Sequence, residues 1–150
     1  MSLHDFFSAD AIDLNLHAPD RASALAAAVG LLQLDDKSAE TLLRVLTRRE
    51  QMGSTGMGRG IAIPHCRSLV VPRLRMSYAR LTEPLAWEAI DGKPVRHVFL
   101  IVAPPLEVSN QYLPTLGQLA GFAKEPGNIE KLEVVKTAGE FLELFGTKKS

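Results

Sequence analysis

Apolar and polar positions along the chain follow two alternating periodicities. Ala11–Leu16 (A-I-D-L-N-L) alternates one by one, as a half-buried strand does. Pro19-Asp20 then opens a helix in which Ala22, Leu25, Ala26, Val29 and Leu32 recur at helical spacing. A second helix is predicted from about Ser38 to Glu50, with Ser38 as its cap and Ala39, Leu42, Leu43 and Leu46 as its core stripe. Ile61-Ala62-Ile63 reads as a short buried strand that Pro64 stops. Arg73–Leu81 places Leu74, Met76 and Tyr78 on one face and Arg73, Arg75 and Ser77 on a wetter one. Val95–Ala103 is nearly continuous apolar, the pattern of a central strand covered on both sides, and Pro104-Pro105 ends it. A helix from about Asn110 to Lys124 uses Leu113, Leu116, Ala120 and Ala123, and tolerates Pro114 because it falls in the first turn or so. Ile129, Leu132 and Val135 line a short helix. A last one near Gly139–Phe145 buries Phe141, Leu142 and Phe145. The expected fold is α/β, a mixed β-sheet flanked by helices on both faces.

Composition narrows the function classes. The 150 residues make a single domain, 1–150, with a frayed tail at about 147–150. Lysine plus arginine equals aspartate plus glutamate at 17 each, which argues against a nucleic-acid binder driven by net charge. There is no signal peptide and no apolar run near the ~20 residues of a membrane helix, so no membrane insertion is expected. The single Cys66 excludes an internal disulfide and suits a reducing compartment, which points to the cytoplasm. Four scattered histidines and one cysteine show no metal-ligand spacing, so no metal is expected.

The chemistry concentrates in Gly53-Ser54-Thr55-Gly56-Met57-Gly58-Arg59-Gly60, which runs through Ile61–Pro64 into His65. Glycines let a backbone turn its N–H groups toward one point, a common way to cradle phosphate. The G-x-G-x-G spacing is not that of a dinucleotide fold, and no Walker lysine follows. A histidine at a strand end beside such a loop is well placed to take a phosphoryl group. It must be neutral, with one ring nitrogen free and the other donating to a fixed acceptor. The reaction then needs positioning and charge stabilisation. Arg49 offers a forked, permanently charged clamp, and Ser54 and Thr55 offer hydroxyl and backbone donors. Taken alone, Arg49 also suits the C-terminal end of its helix. Arg67, Arg73 and Arg75 read as a solvated face, His97 as half-buried in a strand, and His4 and His17 as terminal and loop residues. Cys66 reads as a small buried filler and Trp87 as a core or sheet-edge residue.

Arg49 to His65 carries the pattern R-E-x-x-G-S-T-G-x-G-x-G-I-A-I-P-H, and Pro84 to Val95 carries P-[IL]-x-[FW]-x-A-[IL]-D-x-x-P-V. Together they resemble the phosphotransferase-system enzyme IIA domain of the fructose/mannitol type, over essentially the whole chain. The resemblance implies phosphorylation of His65 by a small histidine phosphocarrier, with Arg49 and Thr55 beside the phosphohistidine. It implies onward transfer to a IIB domain, or signalling to a regulatory target by phosphorylation state, with no bound cofactor. Ser54, Gly56, Gln111 and Tyr112 complete the expected phosphate-binding set, with Asn110 beside them. Many members carry a second active-site histidine where Tyr112 stands. A phenol there donates a hydrogen bond but carries no positive charge near pH 7. Pro114, and Cys66 in place of a common glycine, are further departures. A free-standing IIA domain resembles the nitrogen-regulatory branch, although sugar-specific IIA components also occur alone. A pure interaction module is the reading from a different class. A histidine-dependent hydrolase fits poorly, for the sequence has no triad, G-x-S-x-G elbow or metal set.

Overall fold

The computed structural model describes residues 3–89, 91–106 and 110–145. The expected tail at 147–150 lies outside them. After a single 3₁₀ turn (Leu3–Phe6) come β1 (Phe7–Leu16), α1 (Arg21–Gly30), α2 (Asp36–Met52), β2 (Gly56–Gly58), β3 (Ile61–Ala62) and β4 (His65–Arg67). Then follow β5 (Arg75–Leu85), β6 (Val95–Ala103), α3 (Tyr112–Lys124), α4 (Pro126–Val134) and α5 (Ala138–Glu143). The sheet is six-stranded and mixed, in the order β1-β5-β6-β3-β2, with β4 also pairing β6. β6 lies antiparallel to β5 and parallel to both β3 and β4.

The apolar run Val95–Ala103 forms the central strand, with every residue but Arg96 buried. Its two faces divide the core. Val98, Leu100 and Val102 pack with Leu25 and Val29 of α1 and Leu42 and Leu46 of α2. Phe99, Ile101 and Ala103 pack with Leu119 of α3, Leu132 of α4 and Phe141 of α5. Helices therefore cover both faces. This is the two-residue alternation of a strand read at the centre of the molecule.

Several local expectations change. The caps of α1 and α2 are Asp20 and Asp35, whose carboxylates accept from the N–H groups of Ser23 and Ser38 at 2.8 Å. Ser38 is thus the donor in the first turn of α2, not its cap. In α1 the buried stripe is Ala24, Leu25, Ala28 and Val29, while Ala22 and Ala26 face solvent. In α3 it is Tyr112, Thr115, Leu119 and Ala123, and Leu113 is exposed. The face of β5 that looked wet is covered by α1. The Ser77 hydroxyl, fully buried, donates to the Ala28 carbonyl, and half-buried Arg75 donates to the Leu32 carbonyl at 2.8 Å. A polar side chain tolerates burial when a carbonyl left over at a helix end accepts its proton.

Candidate functional site

The site is built where α2 runs out into the β2–β3 hairpin and the chain then crosses to β4. Gly58, Arg59 and Gly60 all have φ between 59° and 91°, so the two glycines serve the tight reversal between β2 and β3. Gly56 is required for a different reason. A Cβ there would lie 2.6 Å from the Ala89 Cβ and 2.8 Å from its Cα, with no flexible side chain to yield. The hairpin brings Thr55 alongside Ile63, whose N–H donates to the Thr55 carbonyl at 3.0 Å. The Pro64 carbonyl accepts from Ile101 N–H at 3.0 Å, and His65 pairs with Ile101 in β4.

His65 is half-buried, and its Nδ1 lies 2.7 Å from the Ile63 carbonyl oxygen. A carbonyl only accepts, so Nδ1 carries a proton, and in the neutral ring Nε2 then holds the lone pair. Among the described residues Nε2 has no hydrogen-bond partner. The ring is thus oriented, and its neutral form is the tautomer that a nitrogen nucleophile needs.

A buried carboxylate orders the loop. Leu42, Leu46 and Glu50 form the buried stripe of α2, so Glu50 points inward with the leucines. It accepts from the Thr55 backbone N–H at 3.2 Å and from the Thr55 hydroxyl. Arg21 of α1 stands 3.7 Å from the same carboxylate and donates to the Trp87 carbonyl at 3.1 Å. The Ser54 hydroxyl donates to that carbonyl at 2.7 Å and accepts from Gly56 N–H at 2.9 Å. Thr55's N–H and hydroxyl protons are thus both engaged inside the protein. So are the Ser54 hydroxyl proton and the Gly56 N–H. Arg49 is half-buried and donates from Nη1 to the Gly53 carbonyl at 2.8 Å, capping the end of its own helix. That uses one of five guanidinium N–H donors.

Tyr112 opens α3 beside the histidine. The two ring centroids are 6.3 Å apart, and the Arg67 Cζ lies 4.4 Å from the Tyr112 centroid in a cation–π stack. Burial pushes the phenol up to about 12. The Cys66 thiol adds to the rise, while the positive charges of Arg67 and Arg49 oppose it. Burial likewise pushes the Cys66 thiol up to about 11, so it rests as the unreactive thiol. Gln111 is half-buried at the cap of α3, where its carbonyl accepts from Thr115 N–H at 2.9 Å. Asn110 is exposed, in the left-handed region with φ 53°.

The structure thus brings His65, Arg67 and Tyr112 together, with the Arg49 charge acting on Tyr112, and turns the Ser54, Thr55 and Gly56 donors inward. Arg67, expected on a solvated face, is half-buried against Tyr112. It also donates to the Pro104 carbonyl at 3.1 Å. Sequence reasoning did not single out Glu50. The signal was available, because the α2 stripe Leu42-Leu46 continues four residues further onto it.

His97 is a second correction, being 1% exposed and not half-buried. Its Nδ1 lies 2.7 Å from the Tyr78 hydroxyl and its Nε2 2.7 Å from the Glu133 carboxylate of α4. Arg96 meets the other carboxylate oxygen at 2.9 Å. Burial, with smaller help from the Arg96 and Arg80 charges, lowers His97 to about 4 against the opposing pull of Glu133. Trp87, 1% exposed, is a core residue. Among the described residues no group of histidine, cysteine and carboxylate side chains is arranged to hold a metal, and no helix is long and apolar enough to cross a membrane.

Comparison with known proteins adds to this geometry. Residues 5–148 match the family described as phosphoenolpyruvate-dependent sugar phosphotransferase system, EIIA 2. A nitrogen regulatory protein of Pseudomonas aeruginosa is 33% identical over 71% of this chain and 68% of its own length. The 2-O-alpha-mannosyl-D-glycerate-specific EIIABC component of Escherichia coli is 30% identical across 99% of this chain, which spans 23% of that longer protein. Among solved structures, nitrogen regulatory protein IIA-Ntr from Neisseria meningitidis superposes with a TM-score of 0.86 at 29% identity, covering 95% of this chain and 97% of that one.

Proposed function

This chain belongs to the EIIA 2 family of the phosphoenolpyruvate-dependent sugar phosphotransferase system, and from that premise we propose that it is a phosphoryl carrier whose nucleophile is His65. The observation that carries the proposal is the Nδ1 hydrogen bond to the Ile63 carbonyl, which orients the ring and leaves Nε2 unspent among the described residues. The donor is a histidine phosphocarrier. The His65 Nε2 lone pair attacks phosphorus, the donor's N–P bond breaks, and its electron pair returns to the donor ring. The Nδ1 proton stays on the His65 ring throughout, donated to the Ile63 carbonyl. Arg49 spends one N–H on Gly53 and turns its remaining charge toward the phosphoryl oxygens. Ser54, Thr55 and Gly56 serve the phosphate by holding the hairpin rigid, and Gln111 and Tyr112 border it from α3. Exposed Met52, Leu69, Leu106 and Leu113 sit on segments flanking the site and suit a protein partner more than a small substrate.

The likeness to nitrogen regulatory proteins in both sequence and structure favours the nitrogen-regulatory branch, with a regulatory protein receiving the signal. The 30% identity to a mannosyl-glycerate component over 99% of the chain favours a second reading, a sugar-specific IIA that passes phosphate to a IIB domain.

Intact mass after incubation with phosphoenolpyruvate, enzyme I and a histidine phosphocarrier tests the carrier role. One acid-labile phosphate on wild type and none on His65→Ala is expected. An unlabelled wild type would leave the interaction module as the better reading. Label surviving in the mutant would move the nucleophile elsewhere.

A further inference from the structure

We propose that the buried carboxylate of Glu50 is a positioning residue for His65, acting on the ring through three hydrogen bonds in series. The inference rests on the carrier reading above and adds a residue to it. The Thr55 N–H donates to the Glu50 carboxylate at 3.2 Å, and the Ile63 N–H to the Thr55 carbonyl at 3.0 Å. The His65 Nδ1–H then donates to the Ile63 carbonyl at 2.7 Å. Each bond shares a residue with the next, so the last turn of α2 is tied to the imidazole. Glu50, Thr55 and Ile63 are all buried, which keeps water from competing for the first two bonds.

The position of Glu50 is the first reason to assign it this task. It continues the stripe of Leu42 and Leu46, where another leucine would serve packing alone. A carboxylate there is costly unless its oxygens are satisfied. Glu50 is satisfied by the Thr55 hydroxyl as well as the Thr55 N–H, and the Arg21 guanidinium stands 3.7 Å away. Thr55 is therefore gripped at two atoms, and the Ile63 N–H takes up the carbonyl that follows. Ile63 is the second reason. β3 and β4 keep one register against β6, with Ala62 beside Val98 and His65 beside Ile101, and Ile63 and Pro64 fall between the two strands. Pro64 fixes its own φ and confines Ile63 to extended backbone. The aim of the Ile63 carbonyl then depends on the Thr55 bond behind it. Loosening Thr55 lets that carbonyl swing away from Nδ1. The ring then samples both neutral tautomers, and the one protonated on Nε2 has no lone pair there to offer phosphorus.

Single-turnover transfer from a phosphorylated histidine carrier to the full chain, paired with nitrogen-15 spectra of the His65 ring at pH 8, tests this. Glu50→Leu removes the acceptor at similar bulk, and Glu50→Gln keeps a carbonyl for the Thr55 N–H. Thr55→Val removes the hydroxyl bond alone. Leu46→Ala weakens the same stripe of α2 without touching the series. Thermal melts establish which variants fold. Glu50→Leu is expected to lower the maximal rate about ten- to a hundredfold, with the half-saturating carrier concentration little changed. Its ring nitrogens should move from the Nδ1–H pattern to a mixture of tautomers. Thr55→Val should shift both readouts the same way by less, and it carries the test if Glu50→Leu does not fold. Glu50→Gln recovers most of the rate and the Nδ1–H pattern, and Leu46→Ala loses stability but keeps both. Wild-type rate and tautomer in the folded variants at 50 and 55 would overturn the proposal and leave the carrier role standing. Slow transfer from a ring still protonated on Nδ1 alone, or an equal loss in Leu46→Ala, would make Glu50 a stability residue and overturn it equally. A wild type that takes no phosphate would remove the carrier reading, while the ring spectra would still decide whether Glu50 orients His65.

Discussion

His65 and His97 stand against neighbouring stretches of the same sheet face, four residues apart in β6 register, yet they do opposite things with the same ring. His97 lies in β6, and His65 pairs with Ile101 further along that strand. His97 is enclosed and has both nitrogens engaged, one by Tyr78 and one by Glu133. His65 is half-buried and has one nitrogen engaged, by a backbone carbonyl. A histidine bonded on both sides is a strut that joins β5, β6 and α4. A histidine bonded on one side is an aimed lone pair. Chemistry at a ring nitrogen thus depends less on the residue type than on how many of its two nitrogens the fold leaves unspent.

The sharpest way to break this contrast is to remove each ring in turn. His65→Ala is expected to abolish phosphorylation and to shift stability by no more than about 1 kcal/mol, because little packed structure depends on the side chain. His97→Ala is expected to cost about 2–4 kcal/mol, since it opens a cavity and leaves the Tyr78 hydroxyl and Glu133 without their partner. The folded protein should still take phosphate at His65. Paired urea melts and intact-mass labelling read both effects, and a His97→Ala protein that folds well but cannot be labelled would blur the two roles.

Arg49→Ala is the next largest. Transfer should slow by about two orders of magnitude, and stability should fall by about 1 kcal/mol or less from the lost helix-end bond to Gly53. Unchanged transfer kinetics would return Arg49 to its helix-end role alone.

Acid should expose the His97 contribution. His97 titrates near 4 when folded and near 6.5 when unfolded, so between those values the unfolded chain binds more protons. Its contribution is full above about 6.5 and is lost as pH falls toward 4. Melts at pH 7.5, 6 and 4.5 should show the decline, and His97→Gln should flatten it. A decline of the same size in His97→Gln would assign it to other groups.

The smallest effect concerns the hairpin that holds the His65 region. Gly56→Ala should destabilise by about 1–3 kcal/mol, because the new methyl meets the Ala89 Cβ and backbone. Transfer should weaken as the hairpin shifts. A variant with wild-type stability and rate would show that the Ala89 segment moves aside freely.

Much of the architecture was legible because it follows from periodicity. The span of β6 was readable from its unbroken apolar run, and the helices on both faces from their recurring stripes. The glycine loop and the short strand after it were readable from one continuous motif, but the flanking strands β2 and β4 were not. What escaped were polar groups whose partners lie far along the chain. Ser77 and Arg75 looked solvated until Ala28 and Leu32, more than forty residues earlier, supplied carbonyls. Arg67 looked exposed because only the arrival of α3 puts Tyr112 beneath it. His97 looked half-buried because Glu133 of α4, 36 residues on, closes over it. Periodicity shows which side of an element is apolar, but it cannot show which distant carbonyl or ring makes a polar residue welcome inside.

The acceptor that orients His65 belongs to the main chain of residue 63, two positions before the ring it holds. No codon change at residue 63 can delete a peptide carbonyl, and every amino acid placed there brings the same oxygen. The orientation of the His65 ring is thereby insulated from mutation at residue 63 in a way that a carboxylate partner would not be.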